Sequence, residues 1–269
     1  MRSLRWNLPG FVQLVRLSAS ARLVYRADLV FWMLSIFLQV YLLKMVWRAV
    51  YAGRPSIDGL ELDRVVAFLT LANLQLFVLS PQLAWFFQGR VREGQVATDL
   101  ARPLGLIRQL IAYQLGISAA ELPFVLAALP FAFVVGGLQP PASVSAGVLY
   151  LVSLVLAYVI LVLISVLLAL VSLWTLEITG MTSIYRFVSS FFAGAFIPLW
   201  FFPDALRAVA NVLPFQTQAF IPLSIYVGQL TGTDALQALG LQLAWVAIFV
   251  LLAHLAWQRT LRHVIVQGG

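Results

Sequence analysis

Long apolar runs alternate with short polar ones along this chain, and several of the runs are of bilayer length. They cover about 28–50, 64–88, 109–135, 147–174, 182–202 and 234–257. A helix needs roughly 20 apolar residues to cross a membrane. The clearest case lies between Leu122 and Leu176, which contains no acidic or basic side chain. Only Gly136-Gly137-Leu138-Gln139-Pro140-Pro141 interrupts that stretch, which predicts two spans joined by a tight turn. The pattern as a whole predicts an all-α integral membrane protein, one domain over 1–269 with six transmembrane helices.

The polar intervals predict the remaining elements. Residues 1–26 mix Phe11, Leu14, Val15, Leu23 and Val24 with Arg16, Arg22 and Arg26, the pattern of a helix lying on a membrane surface. Residues 89–108 hold six charged side chains between two apolar runs. That segment cannot rest in lipid, and its spacing predicts a short surface helix. Residues 203–232 are apolar but broken by Pro203, Pro214 and Pro222. Leu206, Val209, Ala210 and Leu213 recur there at helical spacing, with Asp204 as a helix cap. We expect two short re-entrant helices at the outer face, because backbone at membrane depth is tolerated only where protein or a cavity covers it. A seventh span would put the basic C-terminus outside. Pro123 and Pro130 in the third run, and Gly194 and Pro198 in the fifth, predict kinks.

Composition agrees with the pattern. The chain is 62% hydrophobic and 10% charged, against about 25% charged in soluble domains. Its mean hydropathy is +0.96. The net charge of +7 is almost wholly arginine. In a membrane protein this reflects positive loops on the cytoplasmic side rather than nucleic-acid binding. Twelve arginines fall on the side of residues 89–108 and four (Arg48, Arg54, Arg64 and Arg207) on the other. Both termini are therefore expected in the cytoplasm, which six spans allow, with the chain multi-pass in the cell (inner or plasma) membrane. Trp32, Trp47, Trp85, Trp174, Trp200 and Trp257 fall near predicted span ends, as an aromatic belt would. No removable signal peptide is expected.

Several chemistries lack their residues. With no cysteine, there is no disulfide or zinc-thiolate site. A phosphate-binding loop ends in Gly-Lys-Ser/Thr, whereas the single lysine, Lys44, follows Leu43. No cofactor site and no catalytic residue is therefore expected in this chain. His254 and His263 have no carboxylate between them and form no metal motif. His254 reads as an ordinary interfacial residue. Two ionisable groups lie inside predicted spans, Lys44 in the first and Glu121 in the third. Intramembrane charges default to a functional hypothesis. The pair would relieve each other's desolvation if they met across helices, as a structural ion pair or as a sensing or proton-coupling element.

Three stretches carry a family resemblance. The first is Arg92-Glu93-Gly94-Gln95-Val96-Ala97-Thr98-Asp99-Leu100-Ala101-Arg102-Pro103-Leu104. The second is Gly194-Ala195-Phe196-Ile197-Pro198-Leu199-Trp200-Phe201-Phe202-Pro203, with Leu213-Pro214-Phe215 and Gly228 after it. The third is Trp257-Gln258-Arg259-Thr260-Leu261-Arg262, ending in Gly268-Gly269. In this order the chain resembles permease subunits of type-2 ABC exporters, the six-span branch with a separate ATPase. The resemblance implies two copies of an ATP-binding subunit on the cytoplasmic face, which would hold the ATP and magnesium. It also implies a second permease, identical or related. Residues 89–108 would be the coupling helix, with Arg92, Glu93, Gly94, Asp99, Arg102 and Pro103 at the ATPase contact, and 1–26 the elbow helix. The apolar walls favour a hydrophobic or amphipathic substrate. The competing readings are an ion-coupled transporter using Lys44 and Glu121, and a membrane scaffold that transports nothing.

Overall fold

A computed structural model describes residues 8–78, 83–175 and 177–267. Its helices are α1 (Leu8–Val24), α2 (Arg26–Tyr51), α3 (Leu62–Val78), α4 (Leu83–Arg92), α5 (Val96–Ala101), α6 (Leu106–Phe131), α7 (Val144–Val171), α8 (Thr179–Phe192), α9 (Asp204–Val212), α10 (Phe220–Tyr226) and α11 (Gly232–Gln267). A π turn, Ala132–Gly136, extends α6. Four of these are long and apolar enough to cross a membrane: Arg26–Tyr51, Leu106–Gly136, Val144–Val171 and Gly232–Thr260. A hairpin of two short strands, β1 (Ser56–Ile57) and β2 (Leu60–Glu61), turns at Asp58-Gly59 between α2 and α3. An Asp-Gly turn between apolar residues is a hairpin signal that the membrane pattern overshadowed in the sequence.

The run 64–88 contains α3, of 17 residues, and α4, with 79–82 between them outside the described residues. The run 182–202 is not one long helix: besides a short 3-10 turn at Leu199–Phe201 it forms α8, of 14 residues. Its end is set at Gly194, whose φ of +76° suits glycine. There Gly194 N–H donates to Phe191 O and Ala195 N–H to Ser190 O, the paired bonds that close a helix at a left-handed residue. Pro123 and Pro130, expected to kink the third span, sit inside a continuous α6, and the irregular π turn follows directly after. Asp204 begins α9 without capping it and lies 3.8 Å from Arg207.

Of the apolar clusters among the described residues, two are the largest. One gathers Tyr51, Phe68, Leu69, Ala219, Leu223 and Ile225 from α2, α3 and α10. Trp47 and Trp200 belong to it rather than to a lipid-facing belt: Trp47 is 7% exposed and packs 5.1 Å from Phe201, while Trp200 lies edge-on to Phe68 at 5.0 Å. The other core joins Leu83 and Phe87 of α4 to Leu106 and Leu110 of α6 and Val166 and Leu170 of α7. A buried polar network ties the short segments together. Gln75 donates to Gln218 O at 2.7 Å, Ser189 donates to Gln218 Oε1 at 2.8 Å, and Gln242 donates to Thr217 O at 2.8 Å. The first and third satisfy the backbone carbonyls of Gln218 and Thr217, which would otherwise be costly to bury between α9 and α10.

Thr182 and Ser189 of α8 are buried, while Met181, Ile184 and Phe187 are exposed together with Ser183 and Arg186.

Candidate functional site

The polar segment between α4 and α6 is a turn, a short helix and a second turn. Gly94 closes α4: its φ is +69°, Gly94 N–H donates to Val91 O, and Gln95 N–H donates to Arg90 O at 2.9 Å. α5 then runs for six residues. It stops at Ala101 because Arg102 precedes Pro103 and is extended, with ψ 149°, as a residue before proline prefers to be. Gly94 and Pro103 thus shape the two ends of α5.

The inner face of α5 is anchored by one carboxylate. Asp99 is 2% exposed. Arg90 grips it with Nε to Oδ2 at 2.5 Å and Nη2 to Oδ1 at 2.6 Å, and Arg102 Nη1 approaches Oδ1 at 3.2 Å. Bidentate guanidinium–carboxylate pairs are the strong, directional kind. Gln109, near the start of α6, donates to Asp99 O at 2.7 Å and to Leu104 O at 2.6 Å. Arg90 also lies over the Phe86 ring at 5.7 Å, and that ring stacks on Tyr113 at 3.6 Å. Asp99 therefore does not lie on the outward face with Arg92, Glu93 and Arg102, which are exposed along with Ala97, Thr98 and Leu100.

A second connection, not anticipated from sequence, joins this segment to the turn between α7 and α8. Arg92 pairs with Glu177, Gln88 Nε2 donates to Glu177 Oε1 at 3.0 Å, and Thr179 N–H donates to the same oxygen at 2.7 Å. Glu177 thereby holds the start of α8 against α4. It was legible only as the first charge after the uncharged stretch from Leu122 to Leu176.

α1 is fastened to α6 rather than lying free. A Cβ at Gly116 would sit 2.4 Å from Val15 O and 2.7 Å from Ser18 Cβ, so the two helices touch backbone to backbone there. Further along, Arg22 Nε donates to Glu121 Oε1 at 3.0 Å, with the carboxylate side chain 4% exposed. Glu121 thus pairs with Arg22 and not with Lys44. Lys44 instead donates to Val135 O at 2.5 Å, and Thr70 donates to Gly136 O at 2.8 Å. A cation among the last carbonyls of a helix is favourable. Val135 lies fourteen residues beyond Glu121, about 21 Å along α6 at 1.5 Å per residue. The expected pair fails because Lys44 of α2 reaches the far end of the α6 segment, whereas Glu121 sits in the middle of α6.

A cleft of about 210 Å³ opens between α2, α3 and α8, and its lining includes Gln39, Asn73, Arg186, Ser189 and Ser190. Arg186 is exposed and lies 5.8 Å from the Trp85 ring. Among the described residues, no group of three or more His, Asp or Glu side chains is placed to hold a metal ion.

Comparison with known proteins supplies the context for these features. No curated protein matches the chain. The family model for the ABC-2 family transporter proteins matches residues 30–268, which takes in α5, Glu177, the α9–α10 region and nearly all of every long apolar helix. The chain therefore belongs to the ABC-2 family of transporter proteins, as a multi-pass membrane permease.

Proposed function

We propose that this chain is the transmembrane subunit of an ATP-driven exporter. Proteins of this family normally pair with an ATPase subunit, and α5 has the build of its docking element. The single observation that carries this reading is the two-sidedness of α5 and its turns. The inner face is fixed by the Arg90–Asp99–Gln109 network, while Thr98 and Leu100 of α5 and Arg92, Glu93, Arg102 and Pro103 beside it are exposed. Two ATPase copies would bind and hydrolyse ATP with magnesium and press on this face in each of two permeases, identical or related.

The anchoring contacts then define what moves. α5 is bound to α4 through Arg90 and to α6 through Gln109. α6 carries α1 through Gly116 and Arg22–Glu121, and Glu177 links α4 to the start of α8. A push on α5 would tilt these elements as a unit and open the cleft beside α8 alternately to the two sides. An exposed Arg186 with Gln39, Asn73 and Ser190 is costly against lipid, so this cleft is our choice for the pathway. On this reading α3–α4 and α8 complete six crossings. Both termini and α5 lie in the cytoplasm, and residues 203–232 form a re-entrant outer cap. The substrate is hydrophobic or amphipathic and leaves the cytoplasm or inner leaflet. The ion-coupled alternative lacks comparable support, since Lys44 and Glu121 each bind a local partner. A scaffold that transports nothing would bring no ATPase with it.

The test is co-purification with the products of neighbouring genes, followed by charge changes on the exposed face. Glu93→Arg with Leu100→Glu on α5, which leave the Arg92–Glu177 pair and Asp99 untouched, should keep the permease folded yet uncouple ATP hydrolysis from transport. Wild-type coupling in that variant would remove α5 from the ATPase contact.

A further inference from the structure

A groove of about 640 Å³ lies between α6 and α7, floored by Leu71, Leu74 and Gln75 of α3. None of its lining residues is acidic or basic. Its hydroxyl and amide groups are already engaged: Tyr158 donates to Ser118 at 2.9 Å, and Tyr150 lies 3.5 Å from Gln75 Oε1. The walls are two bilayer-length helices, and the rim (Leu122, Leu126, Leu151 and Val155) is exposed and apolar. Where both walls are present, from Tyr150 to Tyr158 on α7, the groove runs about 12 Å at 1.5 Å per residue. One leaflet's hydrocarbon is about 15 Å deep, half of a 30 Å core.

We propose that this groove is a binding site for one acyl chain of a membrane phospholipid, in the leaflet on the side of the α6–α7 turn. An apolar concavity of this kind does not hold water. An uncharged lining fits hydrocarbon and offers nothing to an ionic ligand. A second copy of the chain is a poorer occupant, because a twofold interface sets the same patch against itself, and two concave grooves facing one another leave a void. The site is distinct from the polar cleft beside α8, and it stands whether or not that cleft is the transport pathway.

The full chain in phosphatidylcholine vesicles is the test system, doped with a phosphatidylcholine carrying a diazirine midway along one acyl chain. After photolysis, adducts at Leu126, Leu151 and Val155 should exceed those at Leu38 and Leu42 of α2 several-fold, although all five are similarly exposed. Val155→Trp, at a rim position where extra volume enters the groove rather than the core, should bring labelling at Leu126 down to the α2 level and leave Leu38 unchanged. Leu151→Trp is the second filling variant, and the wild-type ratio stands without either. Labelling in simple proportion to exposure on both faces would overturn the proposal, as only bulk lipid would then be touching the chain. Groove residues labelled less than Leu38 would also overturn it, in favour of cover by another protein surface.

Discussion

Replacing Asp99 with alanine should loosen the coupling segment more than any charge change on its exposed face. Removing one partner of a buried ion pair costs about 3–5 kcal/mol, because the other is left uncompensated. Two features set the value here. The Arg90 side chain keeps 21% of its surface in contact with solvent, so it can partly rehydrate. Arg102, 49% exposed, adds no more than a surface pair, about 0–1 kcal/mol. We expect about 2–3 kcal/mol for Asp99→Ala. Arg90→Ala, which strands the carboxylate, should cost about as much, and the double variant little more than either alone. The coupling energy would then be about 2 kcal/mol, inside the range for residues in contact. The assay is reversible unfolding of the purified chain in mixed micelles, titrated with dodecyl sulfate and followed by tryptophan fluorescence. Arg92→Ala serves as the exposed control and should fall within about 1 kcal/mol of wild type. Additive single losses, with coupling under about 0.5 kcal/mol, would refute the view that this pair holds α5.

Three further outcomes follow from particular contacts. Gly116→Ala should destabilise by about 1–3 kcal/mol and raise protease access to α1, because the nearest atom is a backbone carbonyl that cannot move aside; unchanged cleavage would mean that α1 is not held there. In a double-mutant cycle on Lys44→Met and Glu121→Gln, the losses should add within about 0.5 kcal/mol, whereas a larger coupling in the unfolding assay would restore a direct pair. Gln218→Leu should cost about 1–3 kcal/mol by leaving the buried Ser189 hydroxyl without its acceptor, and a neutral result would mean that the network rearranges freely.

Residue pattern alone was sufficient for the long helices. The four helices of bilayer length fall on four of the six apolar runs, because hydrocarbon around a span leaves hydrophobic length as the main requirement and demands internal backbone bonding. The polar segment at 89–108 was legible for the same reason, since six charges cannot be buried in lipid. Gly94 and Pro103 could be seen as its boundaries. The Asp58-Gly59 turn likewise carries the local signal of a hairpin in its own residues.

Sequence could not decide which charges face inward. Asp99 and Glu93 are both acidic residues on one polar segment, yet one is sealed under Arg90 and the other is exposed. That difference depends on where α6 brings Gln109 and where α4 leaves Arg90, which are non-local facts. Depth measured along separate helices likewise misled for Lys44 and Glu121. Both lay well inside their apolar runs, but α6 extends alongside α1 before it meets α2, so the two charges end about 21 Å apart along it. Arg22, Glu177 and Gln218 carry no local signal because their partners are 99, 89 and 29 residues away. Apolar run length and the charges of 89–108 were enough to mark a multi-pass membrane protein and its polar segment, since solvent preference is a property of each stretch of chain. Which side chains of that segment are buried as anchors and which lie exposed was settled by the packing of helices distant in sequence, since pairing depends on partners far along the chain.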